Sequence, residues 1–530
     1  MEPSLFRKNW LDLRRRKVAP KDLSQLSRQI SGSFMDYYRD TGLYEGEYVR
    51  LLCEMATSFS DPELNNIASA SLFEVIVEEL CDDFEDLTLD IYNLAMAEVI
   101  SYCRKTPAGV ELDRQIADFG IRSFDELHRR ANLVRTRQYN YDINKPLKRI
   151  ILLSRVTIGA DVAILSVIVQ RLTRIFPGAE VVIFGSRKLR GIFGGNPCLR
   201  IVELSYPRRG GLFDRFSAWH QALGILAEEM PAHDQDNTLL IDPDSRISQL
   251  GVLPLTQPEN YLFFNSQNNH PSSKCTRMAE LANRWVDDVF GVSDFCYPKV
   301  WIPAPIRSQG QKMIACLRAS GCERTVAVNF GIGQNPRKRV GMDFEVRLVQ
   351  EILNGPKTVV ILDRGYGKDE FCWSAELLSR IQNQGFQTAS ANFRESEYPK
   401  ISHGVIAIEC TIGEMAALIG QSDEFVGYDS ACQHISAAAG TPTLTVFAGA
   451  NNAKFIRRWS ACGDTPCRTV HVDTVTDPQH INISEVVSRI MQERILMTSK
   501  RPTPKYREIQ TTQRVGHTRK KALSNDVQPA

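Results

Sequence analysis

Paired cysteines, long apolar runs and an excess of one charge are all missing from this chain of 530 residues. Its 13 cysteines are scattered singly, and no Cys-x-x-Cys pair occurs. The nearest neighbours, Cys316/Cys322 and Cys462/Cys467, lack the short spacing of a zinc knuckle. This argues against a disulfide framework and a metal site, and leaves reduced, buried or incidental thiols. Apolar stretches such as Val162 to Val169 fall far short of the roughly 20 residues that span a bilayer. The opening MEPSLFRKNWLDLRRRKVAP lacks the apolar core of a secretory signal. The expectation is a cytoplasmic protein, at most peripheral at the inner face of a membrane. With 64 basic and 62 acidic side chains the net charge is +2, so no global field points to nucleic acid as a partner.

What is present is an ordinary globular composition, 43% apolar and 24% charged, in a chain too long for one core. From about Ser24 to Leu133, apolar residues recur at intervals of three and four, in segments such as YVRLLCEMA and SLFEVIVEELC. The period predicts an all-helical domain over 1–147. Its acidic middle (Glu78, Glu79, Asp82, Asp83, Glu85, Asp86) reads as a solvated face, with partner docking or oligomerisation as the functional alternative.

At Lys148 the texture changes to strands alternating with helices, the pattern of a parallel sheet covered on both faces. RIILLSRV, AEVVIFGS, LRIVEL and NTLLIDPDS give four strands over 148–307. After the Pro-rich stretch Tyr297–Pro305 the alternation restarts over 308–480, with TVAVN, KTVVILD, FQTASAN, DEFVGY and PTLTVF as five more. Two such domains leave a cleft between the carboxyl ends of their strands. A last helix over 481–498 is expected to pack back across the first α/β domain. The tail 499–530, basic and poor in apolar residues, is expected to be disordered.

Two loops of the second domain suit anions. The first, NFGIGQNPRKR, follows a strand and offers Asn329, the small residues Gly331 and Gly333, and cations at Arg337, Lys338 and Arg339. The second is GYDSACQHISAAAG, where Asp429 and Ser430 fall at the start of a helix whose free N–H groups and dipole attract negative charge. A capping Asp with a buried His434 is the plainer account of that loop, and the companion loop on the same sheet strengthens the ligand reading. A Ser-His-Asp triad fits poorly, because Ser430 is not in a G-x-S-x-G elbow and an adjacent Asp cannot orient the His. In the first domain, Thr157-Ile-Gly159-Ala-Asp161 places a carboxylate beside a tight turn, either a helix-starting Asp or a general base facing the cleft.

The stretch from about Arg149 to Asp473 resembles the ADP-heptose:lipopolysaccharide heptosyltransferase family, glycosyltransferase family 9. Its S-L-G-D-V motif corresponds to VTIGADV, with an extra Ala160. Its small-residue loop leading to a Lys corresponds to NFGIGQNPRKR. Its long motif G-N-D-[ST]-G-x-x-H-x-A-A-A-x-G-T-P corresponds to GYDSACQHISAAAGTP, with Tyr428 for Asn and Ala431 for Gly. The resemblance implies a GT-B fold, a pair of Rossmann-like domains facing a cleft, with the first binding an acceptor and the second a nucleotide-sugar donor. It further implies inverting, metal-independent transfer with no cofactor. Asp161 would be the base; Asn329, Gly331, Gly333, Lys338, Asp429, Ser430, Ala431 and His434 would hold the donor. Asp363, Asp369 and Glu370 are candidates for the ribose or base, and Arg187, Arg190 and Arg208, beside Lys188 and Arg209, for an anionic acceptor.

The function expected is transfer of a sugar, with ADP-heptose a candidate donor, to a glycan, lipid-linked glycan or protein hydroxyl. Two alternatives stand beside it. One is a GT-B-fold epimerase or hydrolase, which needs extra acids in the cleft. The other is a degenerate scaffold or nucleotide sensor, which Tyr428 and Ala431 would favour.

Overall fold

The computed structural model describes residues 2–81, 86–207, 210–267, 276–333 and 335–498. Asp82, Asp83 and Glu85 of the acidic run, Arg208, Arg209 and the basic tail lie outside the described residues, as does the Asp86 side chain. Two parallel sheets organise the rest, the GT-B-like pair expected. The first runs β3-β2-β1-β4-β5, with β1 Arg149–Leu153, β2 Glu180–Gly185, β3 Leu199–Glu203, β4 Thr238–Asp242 and β5 Tyr261–Phe263. The second runs β12-β11-β10-β6-β7-β9-β8. Its strands are β6 Arg324–Asn329, β7 Thr358–Asp363, β8 Gln387–Asn392, β9 Gly404–Glu409, β10 Glu424–Tyr428, β11 Thr443–Phe447 and β12 Cys467–His471. The nine strands read from sequence are thus joined by three more: β5, β9 and β12.

Strand alternation splits the first sheet between two cores. Ile150 and Leu152 face the helices Ser166–Ile175 and Met278–Phe290, in a cluster that continues through Met313, Leu317 and Met415 to Val359 and Ile406 of the second sheet. Ile151 and Leu153, with Val182, Phe184, Leu240 and Phe263, face the N-terminal helices instead, packing in one cluster with Phe34, Leu52, Tyr92 and Ile100. Among the described residues, seven α-helices of four residues' length or more precede Phe124–Thr136, whose start Ser123 and Glu126 fix with a reciprocal capping box. Arg130 of that helix reaches the carbonyl of Gly251, 2.9 Å away, and lies over the Tyr261 ring, so the helical segment is tied to the strand ends of the first sheet.

The helix Ile483–Thr498 does not cross to the first domain. Val486, Val487 and Ile490 pack with Phe344 and Leu348 on the second sheet, and Arg494 donates to Glu424 at 2.7 and 2.9 Å. The apolar face of this helix matches the second domain's outer layer, and a buried ion pair fixes it there.

Glycines set the domain spacing. Gly191 of the helix Leu189–Phe193 meets Gly413 of the helix Ile412–Ile419 so closely that a Cβ on Gly413 would fall 2.7 Å from the Gly191 Cα. Among the described residues no helix is long and apolar enough to cross a membrane.

Candidate functional site

In an open parallel sheet, ligands collect where the strand order reverses, at carboxyl ends. In the first sheet that point lies between β1 and β4, and in the second between β6 and β10. The ends of these four strands and the segments that follow them carry Asp161, Asp244, Asn329 and Asp429, and the two switch points face one another. A Cβ on Gly159 would lie 3.1 Å from His434 Cδ2 and 3.2 Å from the Ala431 Cα. The turn bearing Asp161 is therefore seated on the head of the helix Ala431–Ala438 across the domain boundary.

Asp161 opens a π turn, Asp161–Leu165, and is only 1% exposed. Its carboxylate accepts from Ser154 Oγ at 2.8 Å and from the Arg155 amide at 2.7 Å. Burial pushes its pKa up to about 7, against these two bonds and the nearby Arg155 charge, all of which favour the ionised form. The turn is strained: Val156, a β-branched residue, sits at φ 75°, held by its amide's bond to Ser154 Oγ.

On the opposite side Lys338 donates to Asp429, at 2.8 Å to the carboxylate and 3.2 Å to the carbonyl. Asp429 also accepts from Gln433. Ser430 is the N-cap of Ala431–Ala438, makes no capping bond, and turns its hydroxyl to Asn329 Oδ1 at 3.2 Å. Asn329 in turn donates to Asp363 at 2.8 Å. Ser430, Asn329 and Asp363 thus form a line across the ends of β10, β6 and β7, and burial raises the Asp363 carboxyl to about 6. His434 is buried in T-shaped contact with the Trp459 ring, and burial lowers its pKa to about 4, so it is neutral at pH 7. Gly331 lies beside Asn329 and Glu370, and Gly333 occupies φ 61° with open space around it.

The remaining candidates separate. Glu370 accepts from the Tyr366 amide at 2.7 Å and closes the turn after β7, whereas Asp369 is exposed on the first turn of Lys368–Asn383. Arg187 and Arg190 are exposed after β2, and Lys188 between them places its ammonium 5.5 Å over the Tyr366 ring of the second domain. The motif's two departures also differ in kind. Ala431 is at the domain contact, but the Tyr428 side chain is fully buried and points away from the cleft, between Phe330 and Phe344.

Sequence reasoning passed over a second cluster at the same cleft. Asp244, 1% exposed at φ 61°, accepts from Ser266 Oγ at 2.5 Å and lies 3.5 Å from Arg155 Nη2, while its Oδ1 has no hydrogen-bond partner among the described residues. Arg155 also covers the Trp459 ring, contributed by the second domain. The available signal was the Asp-Pro-Asp that ends the fourth predicted strand. Among the described residues no group of three or more His, Cys, Asp or Glu is arranged to hold a metal ion.

Comparison with known proteins bears on the second domain. The model of one family, glycosyltransferase family 9 (heptosyltransferase), matches residues 372–465. The match contains the whole GYDSACQHISAAAG motif and bears out the resemblance it carries, and with it the glycosyltransferase class. Asp161 and Lys338 lie outside the matched residues. No curated protein sequence matches the chain. Among solved structures, a family 9 glycosyltransferase from Veillonella parvula aligns at 14% identity and TM-score 0.48, covering 68% of this chain and 100% of its own. The E. coli heptosyltransferase WaaC with ADP aligns at 13% and 0.41, covering 65% and 99%. E. coli ADP-heptose lps heptosyltransferase II aligns at 12% and 0.42, with the same coverage.

Proposed function

We propose that this chain is an inverting glycosyltransferase that moves a sugar from a nucleotide diphosphate to the hydroxyl of a glycan or protein acceptor, without a metal. ADP-heptose is the donor to test first. The observation that carries the reading is the meeting of the two switch points, which sets the Asp161 turn against the helix head beside Lys338 and Asp429.

The chemistry asks for two things at that place. Cleavage of the C1–O bond leaves negative charge on the departing diphosphate, and an ammonium beside a helix N-terminus stabilises it. Lys338 gives two of its three N–H groups to Asp429, and the third remains for a phosphate oxygen. On the sugar's other face a carboxylate must take the acceptor proton, and a group with a pKa of about 7 is matched to that task near neutrality. Each Asp161 oxygen accepts one bond and keeps a lone pair. Ligand entry requires the Gly159 contact to part, so the arrangement described is the closed one.

A thermal-shift screen of nucleoside diphosphates and nucleotide sugars tests this. A ligand at a hundred times its Kd adds about 2.7 kcal/mol to the folded state. Lys338→Ala should weaken binding and so reduce the shift, and no shift with any of them would refute the reading. The enclosure of Asp161 and the neutralisation of Lys338 by Asp429 favour a second reading, a nucleotide sensor. Diphosphate binding without transfer to any acceptor hydroxyl, including hydrolysis by water, would select it.

A further inference from the structure

We propose that Tyr428 and Glu345 are positioning residues that fix the loop bearing Lys338 for a nucleoside diphosphate. The inference rests on the donor-site reading above, and takes it to two buried residues behind the Lys338 loop.

Tyr428 stands where the resembling motif has Asn, and its hydroxyl has two partners. It accepts from the Val340 amide at 3.1 Å, two residues beyond Lys338, and donates to Glu345 Oε1 at 3.0 Å. Glu345 is completely buried in the first turn of Met342–Leu353. Its Oε2 receives the Trp373 indole N–H at 2.7 Å, and Arg339 lies 3.3 Å from Oε1 with its guanidinium 4.0 Å over the Trp373 ring. One carboxylate therefore joins strand β10, the helix Lys368–Asn383 and Arg339, and through the Tyr428 hydroxyl it reaches Val340 as well.

The residues on the other side of Lys338 are held too. Thr474 Oγ1 donates to the Arg337 carbonyl, and a Cβ on Gly449 would lie 2.9 Å from both Arg337 C and Lys338 N. The backbone is pinned on both sides of Lys338, and only its side chain is left to place, against Asp429. An anchor this complete is needed because a lysine is a flexible stem with a point charge, so its position is as good as its backbone. Tyr428 also helps tie the two anion loops together, beside the Lys338–Asp429 and Ser430–Asn329 bonds, since Asp429 is its direct neighbour.

The test is a double-mutant cycle read by calorimetric titration of the full chain, with ADP, GDP, UDP and CDP as probes. Tyr428→Phe keeps the ring packing and removes the hydroxyl, and Glu345→Gln keeps the shape and removes the charge. For whichever diphosphate binds the wild type, each should weaken binding roughly tenfold. Neither should have a further effect in a Lys338→Ala background, because positioning acts only through Lys338. Equal losses in both backgrounds, or none in either, overturn the inference while leaving the donor site standing. If none of the four binds the wild type, the donor-site reading itself falls. Melting temperatures of every variant identify any that is unfolded, and Arg339→Gln, which spares both buried groups, then takes its place with the same expected outcomes.

Discussion

Replacing Asp161 by Asn separates a buried acid from an ordinary helix-starting one. Burial lifts its pKa from 3.8 to about 7. A gap of about three pH units, at 1.36 kcal/mol each, is ~4 kcal/mol as an upper bound on the cost of keeping the charge inside. The folded state binds this proton more tightly than the unfolded chain does, so between about pH 4 and 7 stability falls as pH rises. Below that window both states are protonated, and above it the penalty is constant. Asn carries no proton to lose. The stability of Asp161→Asn minus that of the wild type should therefore widen from pH 4 to 8, approaching ~4 kcal/mol at most. Asp242 and Asp363, raised to about 6, and Glu345, raised to about 7, titrate in the same window but are common to both proteins. The Asn amide must also turn the Ser154 hydroxyl away from it, a cost that does not vary with pH and shifts the curves without changing their slope. Urea unfolding followed by tryptophan fluorescence at a series of pH values supplies the curves. Parallel curves would refute a raised Asp161. In transfer assays the wild-type rate should rise with pH through about 7, and the Asn variant should lose roughly 10²- to 10⁴-fold.

Further perturbations test the frame around the site. Gly413→Ala improves intrinsic helix propensity by about 1 kcal/mol yet puts a methyl against the Gly191 backbone. X-ray scattering should show a more open molecule and assays a loss of transfer with diphosphate affinity kept; an unchanged profile and rate would dismiss the contact as a spacing device. Glu424 is 1% exposed and serves both Arg494 and Arg324. Glu424→Ala should cost about 3–5 kcal/mol by leaving buried charge unmatched and should make the last helix sensitive to protease; a loss under 1 kcal/mol would show that the apolar face alone docks it. Gly159→Val should block closure through His434 and Ala431 and abolish transfer, whereas wild-type turnover in that variant would place catalysis elsewhere.

Strands with apolar cores on both faces were readable from residue type, as in β1 and β7. Those that escaped are the three-residue β5, the polar edge strand β12 and β9, whose GVIAIE follows directly on an irregular stretch without a helix to announce it. The anion loops were legible because small residues, cations and a helix start coincide in them. The direction of the Tyr428 side chain was not, since parity along β10 is fixed only once both faces of the sheet are known. The fate of the last helix was equally hidden, because an amphipathic period names a face and not the surface that receives it. Asp244 went unnoticed because its place beside Arg155 depends on the pairing of β1 with β4.

The N-terminal helices share a core with one side of the first sheet, and this bears on how the chain can be divided. A fragment beginning at Lys148 would keep every residue of the proposed chemistry and still expose Ile151, Leu153, Val182, Phe184 and Leu240 as one apolar surface. Such a piece should aggregate on expression, whereas fragments cut within an appended module stay in solution. Whatever else these helices do, the sheet has grown dependent on them, and the two must be inherited, trimmed or transplanted together.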